Sequence, residues 1–155
     1  MAHVQDVAAY ILDELGTISA MKLQKLCYFA YGYHLAWEER PLFPERFEAW
    51  ANGPVCRPLY VLHRLQFSVS PGAIEGNPAA LDDGEKESVD LVLQGYGRFS
   101  AHQLSTMTHA AGPWVAARRR AGAGPLDPST ERLSDEEIFE FFDALTSADA
   151  DEREA

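Results

Sequence analysis

SAMKLQKLCYFAYGYHLAW, residues 19–37, decides how this chain folds. Ser19 can accept a hydrogen bond from a first-turn amide, so it predicts a helix start. From Leu26 onward the stretch is apolar or aromatic on nearly every side, through Tyr28, Phe29, Tyr31, Tyr33 and Leu35 to Trp37. A helix that is apolar all round is buried on all sides, so this one belongs at the centre of a helical domain. His34 is the one ionisable residue inside that run. Lys22 and Lys25 stand near the helix start, where the backbone dipole disfavours cations. Either their long stems snorkel to water, or a contact elsewhere selects them.

Working outward, Val4, Val7, Ala8 and Ile11 recur at helical spacing, and Gly16 can end that helix. After the central helix, Pro41-Leu-Phe-Pro44 breaks the chain. Residues 47–51 read as a short strand running into Asn52-Gly53-Pro54, a tight turn. Pro58 is tolerated in a first helical turn, so residues 57–65 read as a short helix and the whole segment as a strand–turn–helix junction. Residues 66–84 are Gly-, Pro-, Ser- and Asn-rich and predict loop, with a short strand near 66–70. Asp82 and Asp83 open a helix extending to about Phe99. Ser100 with Gln103 forms a capping box, as does Ser134 with Glu137, and Gly112-Pro113-Trp114 restarts a helix that runs through Arg120. The expected fold is mainly α: a compact single domain of six to seven helices, with at most a small β element near 47–51 and 66–70. The domain is expected to span residues 1–145, leaving 146–155 as an acidic, disordered tail with nothing to bury.

The 155 residues hold 13 basic and 24 acidic side chains, a net charge of −11. Nine of the acids fall within residues 135–155, against one Arg. Phosphate neutralisation needs clustered cations, so DNA is an unlikely partner. The one basic run, Arg118-Arg119-Arg120, reads as a solvated helix end. No apolar stretch is long enough for a bilayer span and no leader pattern is legible, so a cytoplasmic protein with Cys27 and Cys56 reduced is expected, away from membranes.

Catalytic chemistry finds little support. His3, His34, His63, His102 and His109 pair with no Cys, His or acid in a metal-ligand spacing, so no metal is expected. Cys56 near His34 or His109 would need a positively biased pocket to act as a nucleophile. There is no phosphate-binding glycine loop and no paired carboxylate, so neither an enzyme nor a cofactor is expected. What remains is an interaction surface. Trp50, Arg57 and Tyr60 combine aromatic area with a fixed cation, as binding hot spots do, though core packing would account for Trp50 as well. Trp114, with Thr108, His109 and Pro113, would fix a corner between two helices or add to that surface.

Three blocks in order resemble the Panacea antitoxin-domain family, which includes the SocA-like antitoxins: MKLQKLCYFAYGYHLA with PLF, FEAWANGPVCRPLY, and SAHQLSTMTHAAGPW. The resemblance covers roughly residues 4–143. It implies a non-enzymatic, mostly helical antitoxin that binds a toxin protein encoded beside it, in bacteria or phages. In SocA-like members the domain also delivers the toxin to the AAA+ protease ClpXP. The family pattern falls on Lys22, Leu23, Gln24, Lys25 and Leu26, then Ala49, Trp50, Gly53, Pro54, Val55 and Tyr60, then Leu104, Thr108, His109, Pro113 and Trp114. Ala51-Asn52 departs from it, where a larger or more basic pair is expected. The candidate partner-binding residues are therefore Lys22, Lys25, Trp50, Arg57, Tyr60, His109 and Trp114, with Gly53, Pro54 and Pro113 as structural positions. Exposed aromatics would serve a homodimer as readily as a toxin.

Overall fold

The chain folds as helices α1 (Val4–Leu15), α2 (Ala20–Glu38), α3 (Arg57–His63), α4 (Asp83–Tyr96), α5 (Ala101–Thr108), α6 (Pro113–Arg120) and α7 (Asp135–Glu154), packed around the second of them. The structure is a computed structural model that describes residues 1–110 and 112–154, with side chains through residue 148. Every residue of α2 from Leu26 to Leu35 is buried, as the all-round apolar run predicts, and Leu23, Gln24 and Lys25 are buried with them, while Trp37 at the end of the run is exposed. Ser19 Oγ accepts the Lys22 N–H at 3.1 Å to start the helix. Capping boxes open α4 at Asp82 and Glu85 and α5 at Ser100 and Gln103, each satisfying two otherwise orphaned backbone donors.

The core is an aromatic cluster on α2. The Phe142 ring of α7 packs edge-on against Tyr28, Phe29 and Tyr33, with centroids 5.6, 5.9 and 4.9 Å away. Gly32 makes room for it, since a Cβ there would run into the Phe142 ring. On the other side, Tyr28 and Tyr31 meet Phe47, and Tyr31 meets Phe43. Each fully buried ring of this kind stabilises the fold by roughly 1.5–3 kcal/mol. His34 is wholly buried, with Nδ1 2.8 Å from Ser88 Oγ. Burial first, and the nearby Arg40 charge second, push its pKa below the ordinary value.

Two small antiparallel pairs complete the fold. β1 (Ile18–Ser19) pairs with β4 (Ser68–Val69), and β2 (Phe47–Trp50) pairs with β3 (Gly53–Cys56). The β2–β3 register sets Trp50 against Gly53 and Phe47 against Cys56, so Ala51-Asn52 forms the turn. The junction is therefore a hairpin followed by a helix. The strand β3 escapes a sequence reading because its Pro54 argues against a ladder. It is tolerated because β3 is an edge strand that needs no amide there. Gly53 takes φ 125 and already belongs to the strand. The outer edge of β2 is covered by residues 131–133, through Ala49 N–H to Glu131 O at 2.8 Å and Leu133 N–H to Phe47 O at 3.0 Å.

Helix bounds differ from expectation in three places. α3 ends at His63 and α4 at Tyr96, each short of its expected end. α7 continues past Thr146 to Glu154, where a disordered tail is expected from residue 146. Alanine and glutamate in that segment are strong helix formers, and a helix nucleated by its docked half can propagate through them. No described helix is long and apolar enough to cross a membrane.

Gly32→Ala is expected to destabilise the protein by about 1–3 kcal/mol through overpacking against Phe142, despite alanine's better helix propensity. Urea melts of the two proteins measure this, and equal stability would show that the α2–α7 contact is loose.

Candidate partner-binding groove

The N-terminal half of α2 faces the hairpin, and there two buried polar side chains do the work of a strand. Gln24 Oε1 accepts the Cys56 N–H at 2.9 Å, and Gln24 Nε2 donates to Cys56 O at 3.1 Å. The same Nε2 lies 3.0 Å from His63 Nε2. An amide nitrogen only donates, so His63 Nε2 accepts and the ring is the neutral form protonated at Nδ1. Burial lowers the His63 pKa from 6.5, and the Lys25 charge adds to this. One residue on, Lys25 Nζ donates to Pro54 O at 3.0 Å. Lys25 has no exposed surface, and burial pulls its pKa from 10.5 to about 8. It does not snorkel: its stem packs under Gly53, where a Cβ would stand 2.8 Å from Lys25 Cε. Lys22 is half-buried and donates to Gly97 O, at the end of α4, at 2.6 Å. These contacts account for both cations near the helix start, and they leave Lys25 with no surface to offer a partner.

Trp50, Arg57 and Tyr60 come together as the sequence suggests. The Tyr60 ring meets Trp50 edge-on at 4.9 Å, and the Arg57 guanidinium lies 5.3 Å from the Trp50 ring centre. Glu48 ties them: it accepts from Arg57 Nε and Nη2 at 3.1 Å each and from Trp50 Nε1 at 2.9 Å. Arg57 is exposed, and Trp50 and Tyr60 are half-buried. Trp114 joins them through structure rather than surface, donating Nε1–H to Trp50 O at 2.8 Å. His109 is exposed and stacks on Trp114 at 4.3 Å. Pro113 is buried in the first turn of α6. Arg118 departs from its reading as a solvated helix end. It is buried and donates to the carbonyls of Ala49, Gly124 and Asp127. Arg120 pairs with Glu137 and Glu131, so little of the basic run is free.

Beside the hairpin lies an open groove of about 560 Å³. Its lining includes Met21, Trp50, Arg57, Tyr60, Arg64 and the Leu65–Phe67 corner, together with the buried Gln24 and His63 and residues 128–130. Leu65 and Phe67 were not singled out in the sequence, since Leu65 ends a segment that reads as helix and Phe67 falls in one that reads as loop. Both are largely exposed apolar side chains. Among the described residues, no cluster of three or more His, Cys, Asp or Glu is placed to hold a metal ion. Burial pushes the Cys56 thiol up to about 12 and raises Cys27 as well, so neither is a ready thiolate.

Residues 23–115 match the family of antitoxin SocA-like proteins defined by the Panacea domain. The chain belongs to this family. Antitoxin SocA of Caulobacter vibrioides (strain NA1000 / CB15N) is similar, 36% identical over 132 residues. That match covers 70% of this chain and 66% of the relative, so the chain accounts for just under two thirds of that protein's length. No solved structure matches. The matched Panacea segment carries the hairpin, its Gln24 and Lys25 clamp, and most of the groove, and it leaves α1 and α7 outside.

Two outcomes follow from the clamp. Gln24→Ala strands a buried N–H and C=O on Cys56 and is expected to cost about 2–4 kcal/mol, read from denaturant unfolding. A loss under about 0.5 kcal/mol would mean that water replaces the amide. His63 and His34 are both held below 6.5, so the unfolded chain takes up protons first as pH falls. Stability is therefore full above about pH 6.5 and declines below it until the folded histidines also titrate. His63→Gln should flatten that decline in thermal melts across the range, and an unchanged slope would assign it to other groups.

Proposed function

We propose that this chain is an antitoxin that neutralises a toxin protein encoded beside it by binding it directly, and that the groove beside the β2–β3 hairpin is the docking surface. The observation that carries this reading is the placement of Trp50, Arg57 and Tyr60. They are gathered on one wall of an apolar groove, inside the segment that matches the antitoxin family. Large rings beside a guanidinium, on a backbone fixed by buried hydrogen bonds, suit a binding hot spot: little ordering entropy remains to be lost on docking. His109 and Lys22 stand apart from the groove lining and serve as second-rank contacts. The burial of Arg118 and the pairing of Arg120 leave a poor phosphate-binding face, in keeping with a protein partner rather than DNA. In this reading residues 1–145 form the toxin-binding domain, and the protein acts in the cytoplasm.

The test is growth of bacteria expressing the adjacent reading frame, alone and with this chain. The neighbour is expected to arrest growth, and this chain to restore it and to co-purify with it. Phe67→Asp, at an 84% exposed position, should leave the thermal midpoint unchanged yet abolish rescue and weaken the complex by at least about tenfold. A harmless neighbour, or rescue without a complex, would overturn direct neutralisation.

A further inference from the structure

The groove's chemistry narrows what can occupy it. The chain carries 24 acidic residues, yet among the described residues not one acid lines the groove. Of its two arginines, Arg57 is offset by Glu48 at 3.1 Å. Arg64 is exposed and forms no ion pair among the described residues. His63 is neutral, for the reasons given above. The rim therefore holds one uncompensated positive charge on an otherwise strongly negative molecule. Next to it the chain presents bare apolar surface: Leu65 is fully exposed and Phe67 is 84% exposed.

That corner is rigid and strained. Gln66 N–H bonds to His63 O at 3.0 Å, and Phe67 O accepts from Ala20 N–H at 2.8 Å. Between these anchors Leu65 is held at φ 70, a left-handed conformation that a bulky side chain rarely adopts. Nothing in the free chain compensates the strain, because the Leu65 side chain packs on nothing. A glycine would hold the same turn without cost. The leucine therefore makes physical sense through what it meets outside the chain.

We infer that the groove docks a protein segment carrying an aliphatic or aromatic anchor with a carboxylate beside it: the anchor covers Leu65 and Phe67, and the carboxylate pairs with Arg64. The inference rests on the reading of the groove as a docking surface, and it names the chemistry of the segment that binds there. A basic or charge-free segment would leave Arg64 unpaired, and the acidic surroundings would attract it to other faces.

The probe is a displayed random-peptide library selected on the intact chain, followed by binding of the enriched peptides in solution. Enriched sequences are expected to place Asp or Glu next to Leu, Ile, Phe or Trp, and to bind more weakly as salt rises. Arg64→Glu should weaken them roughly tenfold and restore binding to versions with Lys in place of the acid. Leu65→Gly should hold or raise the thermal midpoint while weakening the same peptides, which separates a presenting role from a folding one. No enrichment, enrichment of basic segments, or indifference to Arg64→Glu would overturn the inference. If acidic–apolar peptides bind the groove but fail to displace the toxin, the docking chemistry stands and the toxin docks elsewhere. If they displace it, both readings hold together.

Discussion

A single buried amide governs the half of this protein that holds the candidate groove. Gln24 offers the Cys56 backbone both an acceptor and a donor, as a neighbouring strand would, and spends its remaining N–H on His63. Inside a low-dielectric core these bonds are strong when complete and costly when broken. The edge of β3 needs them, and Lys25 adds a further bond from α2, to Pro54 O. An open strand edge invites pairing with other chains. Here two side chains of the central helix close it, and the hairpin becomes an extension of α2.

The elements that were legible in the sequence are those with local causes. α2 could be read from its all-round apolar surface, α4 from the acids at its start, and α5 from a capping box whose partners lie three residues apart. The hairpin was legible only in part. β2 shows strand character, but β3 depends on contacts with Gln24 and Lys25, about thirty residues back along the chain, which no local pattern reports. The same non-locality hid the duties of Lys25 and Arg118. Each looks like a solvent-facing cation in sequence, and each is buried because backbone carbonyls from the hairpin or the following loop meet its donors. Residue type carries no mark of that.

The candidate site followed the same division. Trp50, Arg57 and Tyr60 lie close in sequence and meet in space, held by Glu48. Trp114 was legible as a corner residue, and its bond to Trp50 O ties that corner to the hairpin. The rest of the lining, with Met21, Arg64 and Phe67, was not legible, since Met21 and Arg64 sit in segments that read as ordinary helix and Phe67 in one that reads as loop. Only the fold shows that they line one groove with the aromatic trio, and no described acidic residue joins them there.

A polar clamp is a costly way to hold a hairpin if stability alone is at stake, since well-packed apolar side chains in its place are often as stabilising or more so. Its advantage is register. Apolar contacts tolerate a slip along the strand, and in a hairpin a slip of one residue turns every side chain to the other face. The Gln24 amide fits the N–H and C=O of one residue, Cys56, and the Lys25 amine reaches one carbonyl two residues earlier. Together they admit a single alignment of β3, and pairing passes that alignment to β2. Trp50 then has one position, which Glu48, Arg57 and Trp114 lock from three sides. His63 transmits the same constraint to α3, since its neutral ring is gripped by the amide that holds Cys56. The groove's floor and aromatic wall are thus set by buried hydrogen bonds of the core, while the Leu65–Phe67 corner is anchored to the start of α2. Folding alone sets the shape of the groove proposed as a docking surface.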